Sequence, residues 1–562
     1  MSSTPLQPSR RPRCLLMAAL LGVCLSAVAA PKTGKLPSSA VAVTPVAEPA
    51  SVQRLLIRYR TGIKMGAAAS ADGATERAQA AAQVMRSAGL AGESRMHYLK
   101  SVSPSMHVAT LEQAVSAAEA RAMMQRLQAD PAVLDVMIDQ RAKPHFVPND
   151  PYFTGRDQWH LQPSSVIPGG LNVNDAWDRS TGSGVVIAIL DGGYVTHADL
   201  LPNVLPGYDF VSADPPGSTP TLAGQPFWTA NDGNDRDSFA LDPGDWVTQA
   251  EVTAGFCDEA TPESTWHGSH VAGLAGAAGN NSQSGLGVAF GARILPVRVL
   301  GRCGGYVSDI LAGARWAVGL DVLGVPRNPT PARILNLSLG LPGTCSSTIQ
   351  SVIDEVRSQD VSIVASAGND GNTLISVPAN CRGVFAVTAH TREGDSADYA
   401  NVGSGVRISA AGGGLNTLLL EQPGSPRGIV STGNAGLTVP TSDADLLLSG
   451  TSMAAPQVAG VLALLAAVRP DLSMSTLESF VVGSARAFPA GGYCATNPQA
   501  LPSGFCGSGL LDADAAMATA LGIAPSGGGG CTAAPNGQAD LSLLLLALAA
   551  AGLMVWRRRQ VR

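Results

Sequence analysis

Charge is scarce in this sequence: Asp, Glu, Lys and Arg make up only 14% of its 562 residues. The net charge of −6 leaves no basic excess, so the electrostatic footprint of a nucleic-acid binder is missing and no nucleic-acid partner is expected. The cysteines include no C-x-x-C pair, which makes a zinc cluster the poorer account of them. His267 and His270 stand three apart, but the glutamate that H-E-x-x-H zinc-protease chemistry needs after the first histidine is absent. Glycine and proline, by contrast, are plentiful at 63 and 38 residues. The composition is that of a globular, loop-rich chain, long enough for about two to four domains.

Both ends carry sorting patterns. Arg10, Arg11 and Arg13 precede an apolar run, Cys14 to Val28, which closes on Ala27-Val28-Ala29. A basic start, a short apolar core and an A-x-A site describe a signal peptide over residues 1–29, and hence a secreted, extracellular or cell-surface protein. Pro31 and Lys32 follow too promptly for a membrane span. "SRRPRCL" faintly resembles a twin-arginine signal and "LGVC" a lipoprotein box, although Val23 is the wrong size before Cys24. At the other end a Gly-rich linker (523–540) leads to "LSLLLLALAAAGLMVW" (541–556) and then "RRRQVR". That run is slightly short of the roughly 20 residues a spanning helix wants. The arginines would keep the end cytoplasmic. Two readings stand: a permanent membrane anchor, or a tail resembling the bacterial GlyGly-CTERM sorting signal, cut off with Cys531 carrying the anchor. The sorting signal is preferred.

Export suits the remaining cysteines. Cys257, Cys303, Cys345, Cys381, Cys494 and Cys506 are bound for an oxidising compartment and suggest three disulfides. Sequence proximity favours 494–506 first, then 257–303 and 345–381.

After a Pro/Ala/Val/Ser-rich linker (30–51), residues 52–142 read as a small α+β unit. "VQRLLIRYR" and "VLDVMIDQ" are strand-like, and "LEQAVSAAEARAMMQRLQADPAV" has a helical apolar period that stops before Pro131. The remaining body, 143–522, is different. Apolar runs at 185–190, 293–300, 332–340, 361–368 and 384–390 alternate with helical patterns near 267–278, 306–323, 347–358 and 452–468. This predicts an α/β fold whose mostly parallel sheet is covered on both faces. Active sites in such sheets lie beyond the carboxyl ends of strands.

Three residues at such places are unremarkable singly. Asp191 follows "VVIAIL" and could be a turn residue, His267 opens "HGSHVAGLAGA" and could be structural, and Ser452 in "SGTSMAAPQVAG" could be a helix cap. Together they supply a nucleophile, the imidazole base it needs, and a carboxylate to fix the base. Their chain order, Asp, His, Ser, is the one used by subtilisin. Pro456, four residues after Ser452, is expected to be tolerated because first-turn N–H groups lack helical partners.

"VVIAILDGGYVTHADL" (185–200), "HGSHVAGLAGA" (267–277) and "SGTSMAAPQVAG" (449–460) resemble the three signature regions of the subtilisin-like serine proteases. The likeness covers roughly 149–520. It implies a subtilisin-like three-layer α/β fold preceded by a small α+β propeptide domain. It implies too that Asp191 orients, His267 is general base and acid, and Ser452 is the nucleophile of a serine-type endopeptidase acting on polypeptides. "VASAGNDG" (364–371) resembles the family segment carrying the oxyanion asparagine, here Asn369. "NLSLG" (336–340) looks like an edge strand that pairs with the substrate backbone, making Ser338, Leu339 and Gly340 substrate-binding residues. Gly304 and Gly305 would form the opposite rim, or are simply turn glycines. Residues 52–142 resemble the family's propeptides, which assist folding and block the cleft, with a cut between Gln140 and Pro148. Structural calcium is expected and no catalytic metal, with its ligands unassigned. The nine acidic side chains between 231 and 263 are read as a solvated loop rather than a calcium loop or a charged rim. A monomer is expected. The competing expectation is an inactive surface protein that binds peptides in the same cleft.

Overall fold

The computed structural model describes residues 51–62, 74–140, 146–214, 227–414, 427–496 and 504–523. The signal segment, all but the last residue of the 30–51 linker, the C-terminal tail after residue 523 with Cys531, and part of the expected cleavage stretch lie outside them.

β1 (Val52–Tyr59), α1 (Ala74–Leu90), β2 (Met96–Ser103), β3 (Met106–Val115), α2 (Ala117–Gln128) and β4 (Val133–Ile138) form the N-terminal unit. Its antiparallel sheet runs β2-β3-β1-β4. Leu55, Ile57 and Tyr59, on one face of β1, bury with Val84 of α1 and Ala120 and Leu127 of α2. The helical period read from Leu111 divides in two. Leu111–Val115 complete β3, and the helix starts only after Ser116. The Ser116 hydroxyl accepts from Glu119 N–H while the Glu119 carboxylate accepts from Ser116 N–H. That capping box fixes the helix start whatever apolar period precedes it.

The larger body follows the chain as β5 (Val186–Asp191), β6 (Tyr208–Asp209), α3 (His267–Gly276), β7 (Arg293–Arg298), α4 (Val307–Ala317), β8 (Ile334–Leu337), α5 (Ser347–Arg357), β9 (Ser362–Ser366), β10 (Phe385–His390) and β11 (Val406–Ala411). These strands pair in the order β11-β10-β9-β8-β5-β7-β6, every neighbour parallel. A hairpin of β12 (Ile429–Asn434) and β13 (Asp443–Leu448) precedes α6 (Thr451–Val468), α7 (Met474–Gly483) and α8 (Ala513–Leu521). The period-2 pleat of β5 explains its unbroken apolar run. Ile187 and Ile189 enter a core with Val271 of α3 and Val458 of α6. Ala188 and Leu190 face the other way, into a core with Ile310 of α4 and Ile353 of α5. The fold is the expected three-layer α/β arrangement.

Among the described residues α6 alone is long and apolar enough to cross a membrane, and 83% of it is buried inside the protein. It is a core helix. Cys257–Cys303, Cys345–Cys381 and Cys494–Cys506 are bonded, the three pairs that proximity favours.

Candidate active site

Asp191 ends β5, the strand from which the sheet grows in both directions, and is 1% exposed. Its Oδ1 and Oδ2 lie 2.9 and 3.0 Å from His267 Nδ1, and Oδ1 also accepts from Gly192 N–H at 2.8 Å. An ionised carboxylate only accepts, so Nδ1 carries the hydrogen and Nε2 presents its lone pair. Burial opposes an imidazolium here. Asp191, through charge and hydrogen bond, outweighs it together with Asp245 and Asp242, and the His267 pKa is raised above its ordinary value. His267 is the first residue of α3, and the residue before it, Trp266, sits in the left-handed region at φ 50°. A non-glycine residue there costs free energy that its surroundings must offset. The indole, 1% exposed, donates to Gly436 O at 2.8 Å and locks the turn.

Ser452 is the second residue of α6, behind Gly450. At that position its backbone N–H has no intrahelical acceptor. Its Oγ donates to Ser338 O at 3.2 Å, and Ser338 Oγ donates back to Ser452 O at 2.7 Å. Pro456 explains the second bond. It is the sixth residue of α6, not a first-turn residue, and a proline there removes the N–H that would serve the carbonyl four residues earlier. That carbonyl is Ser452 O, and the Ser338 hydroxyl replaces the missing donor. The proline is tolerated because of this substitution, which corrects the first-turn explanation.

Asn369 follows β9 on a loop turned by Gly368, whose φ is 110° and where an added Cβ would lie 2.4 Å from Asn401 Nδ2. Its Oδ1 accepts from Thr451 N–H at 2.9 Å and from Thr451 Oγ1 at 2.8 Å. Those bonds fix the amide orientation. A Cβ on Gly450 would lie 3.4 Å from the Asn369 Nδ2 so exposed. Among the described residues Nδ2 has no acceptor, and no hydrogen bond links Ser452 Oγ to His267 or Asn369.

The "NLSLG" stretch differs from the expected edge strand. Asn336 and Leu337 belong to β8, which pairs with both β5 and β9 in mid-sheet. Only Ser338, Leu339 and Gly340 continue beyond the sheet, buried, half-buried and exposed in turn. The physical reason is that buried parallel strands and substrate-facing extensions share one apolar-rich wording.

The acidic segment is not simply solvated either. Asp235 accepts from Ala213 N–H, Asp242 from Gly244 N–H, and Asp245 from Thr265 N–H and Oγ1. Asp232 pairs with Arg298, and Glu251 caps its own short helix and meets Arg302. Asp258, Glu259 and Glu263 remain exposed. Among the described residues no three His, Cys, Asp or Glu side chains gather as a metal site. A calcium ion, however, also takes amide and carbonyl oxygens. Asp150 and Asp199, 0% and 1% exposed, meet at the loop after α3. Asp150 accepts from Asn280 N–H, Asn281 Nδ2 donates to Asp199 Oδ1, and Asp199 Oδ2 has no partner among the described residues. Asn281 turns an amide N–H, not its oxygen, to Asp199, so the bare Asp199 Oδ2 is what this cluster offers a hard cation.

A family model, the subtilase family, matches residues 182–509. The chain belongs to the subtilase family. An extracellular protease of Xanthomonas campestris pv. campestris is 42% identical over 412 residues, 73% of this chain and 63% of that protein. An extracellular basic protease of Dichelobacter nodosus is 37% identical, over 72% of this chain and 61% of that protein. This subtilase therefore spans about three fifths of the length of these two curated relatives. A solved structure of proteases from Pseudoalteromonas arctica shares 43% identity with it, at a TM-score of 0.58, and is covered over its full length by 67% of this chain. Sequence reading of the subtilase missed the Ser338 hydroxyl, Thr451 as the clamp on Asn369, and the carboxylates of Asp242 and Asp245 beside His267. The only local signal for the first was Pro456 at four residues from Ser452.

Proposed function

We propose that this subtilase is a secreted serine endopeptidase that cleaves proteins through an acyl-enzyme. The reading is supported by one arrangement: a buried Asp191 bonded to Nδ1 of a half-buried His267, which leaves Nε2 to act as the base, and a serine at the mouth of α6. In that reading His267 Nε2 takes the Ser452 proton as Oγ attacks the peptide carbonyl, and the imidazolium is held by Asp191. Asn369 Nδ2 and Ser452 N–H receive the oxyanion, aided by the positive end of α6. The imidazolium then protonates the leaving amine, and water activated by the same base releases the acyl group. Catalytic hydrogen bonds in ligand-free enzymes commonly tighten only with substrate bound, so an Oγ resting on Ser338 O is compatible with this role. Ser338, Leu339 and Gly340 offer main chain for strand addition.

Residues 52–142 act as the intramolecular inhibitor of a proenzyme, and the chain cleaves itself before "NDPYFTG". The sequence of residues 541–562 supports a sorting or anchoring tail. Calcium would be held by Asp199 and the neighbouring Asp150, where it would neutralise buried carboxylates. A chelator should then lower the thermal midpoint, and an unchanged midpoint in the Asp199→Asn variant on calcium addition would agree.

A serine-directed phosphonate tests the central reading. It should label the processed protein at Ser452 and stop peptide hydrolysis. Ser452→Ala should abolish turnover and leave the full-length precursor. Processed protein without label at Ser452 would instead leave a peptide binder.

A further inference from the structure

Beside the Asp191–His267 pair lies a cavity of about 170 Å³, walled by Asp242, Asp245, Leu300 and Gly304. Resting on the endopeptidase reading, the geometry points to this cavity as a subsite for a cationic side chain of the substrate, lysine or arginine.

Asp242 is 5% exposed, and its Oδ1 accepts from Gly244 N–H at 2.8 Å. Its Oδ2 faces Gly192, another wall residue, with 3.7 Å to the position of an added Cβ, and has no hydrogen-bond partner among the described residues. The side chain is almost wholly withdrawn from water and Oδ2 meets solvent only through the cavity, and a carboxylate so placed is costly unless a cation pairs with it. The groups facing it do not supply that charge. Asp191 on β5 and Asp245 on the same loop repel it, and His267 is turned to Asp191. The nearby cation, Arg298 on β7, is committed to Asp209, Asp232 and Ala230 O. Burial first, then Asp245, pushes the Asp242 carboxyl up to about 7. A guest ammonium or guanidinium would provide the missing charge, with its stem along Leu300, as amphipathic side chains do.

The chain carries an independent hint in its own sequence. The stretch Gln140–Pro148, where maturation is expected, holds Arg141, Lys143 and His145 and no acid. The first polypeptide this cleft would meet is basic.

The test uses the mature enzyme and neutral chromogenic peptides in which one lysine is walked through the four residues before the scissile bond. At one position lysine should raise kcat/KM about tenfold over alanine, the size of one well-placed charge contact. Glutamate at that position should lower it. The lysine-to-alanine ratio should grow between pH 6 and pH 8 as Asp242 ionises, and should collapse toward one in Asp242→Asn and in Asp245→Asn. The ratio cancels any general loss of activity in those variants. Hydrolysis of all peptides without a lysine preference, or a preference that survives both substitutions, overturns the subsite and leaves the endopeptidase reading standing. No hydrolysis of any peptide overturns both.

Discussion

Ser338 and Pro456 form a pair whose chemistry can be read only together. Removing the hydroxyl in Ser338→Ala leaves Ser452 O without a donor, at a cost of about 1–3 kcal/mol if it stays buried. Freed from the segment that follows β8, the Ser452 turn should drift, and kcat should fall about tenfold with KM less affected. Pro456→Ala returns an N–H to Ser452 O, so Ser338→Ala should cost much less in that background. Equal losses in both backgrounds, measured as a double-mutant cycle, would show that the Ser338 hydroxyl does not act through that carbonyl. A second residue-scale expectation concerns pH. His267 must be neutral to act as base, and its pKa is raised because Asp191, Asp245 and Asp242 outweigh its burial. The acidic limb of kcat/KM should therefore fall above the ordinary histidine value of about 6.5. A limb at or below that value would contradict the electrostatics. At this scale the sequence named Asp191, His267, Asn369 and Ser452, because each sits in a long, specific wording. It could not name Asp242 or Ser338's donor role, because each depends on a neighbour remote in the chain.

Elements were legible where they are buried on both sides. The apolar runs predicted β5, β7, β8, β9 and β10 within a few residues, and α3 to α6 likewise. β11 was missed because Arg407 and Ser409 break its run, and the β12–β13 hairpin because its strands carry Ser431, Thr432 and Asp445. Those polar residues have tertiary reasons: the hydroxyls of Ser431 and Thr432 donate to His270 O and Ser269 O on α3. Glycines set how closely the central helices approach. A Cβ on Gly460 of α6 would lie 2.6 Å from Val288 Cβ, an atom that cannot swing aside. Gly460→Ala should cost about 1–3 kcal/mol by overpacking, seen as a lower thermal midpoint. Gly483→Ala on α7, with nothing within 4 Å of the added methyl, should leave the midpoint level or slightly higher. If the two variants melt alike, close packing at Gly460 is not limiting.

For the whole molecule, buried histidines set an acid boundary. His160 and His270 are pushed down to about 3 and His390 to about 4, each first by burial. His160 has no partner on either ring nitrogen among the described residues. The folded protein keeps these rings neutral below pH 6.5 while the unfolded chain protonates them, so their contribution is complete above about 6.5 and is lost as pH falls toward those depressed values. Buried Asp209 and Asp242 and half-buried Asp514, each raised to about 7, act in the opposite direction. The difference between wild type and His160→Leu isolates one histidine: the variant's thermal midpoint should fall less steeply between pH 6.5 and pH 4. Parallel curves would mean that His160 is not protonated on unfolding in that range. The sequence by itself determined the α/β layering and named the residues of the candidate site, because apolar period and contiguous wording are local properties. Cysteine proximity only ranked the disulfide pairs, and the structure settled them. Only the tertiary structure decided that "NLSLG" begins inside a central strand, that a serine hydroxyl replaces a proline's missing N–H, and that two further carboxylates stand beside His267. Each of those depends on groups far apart in the chain, whose distance and solvent exposure are set when the layers close.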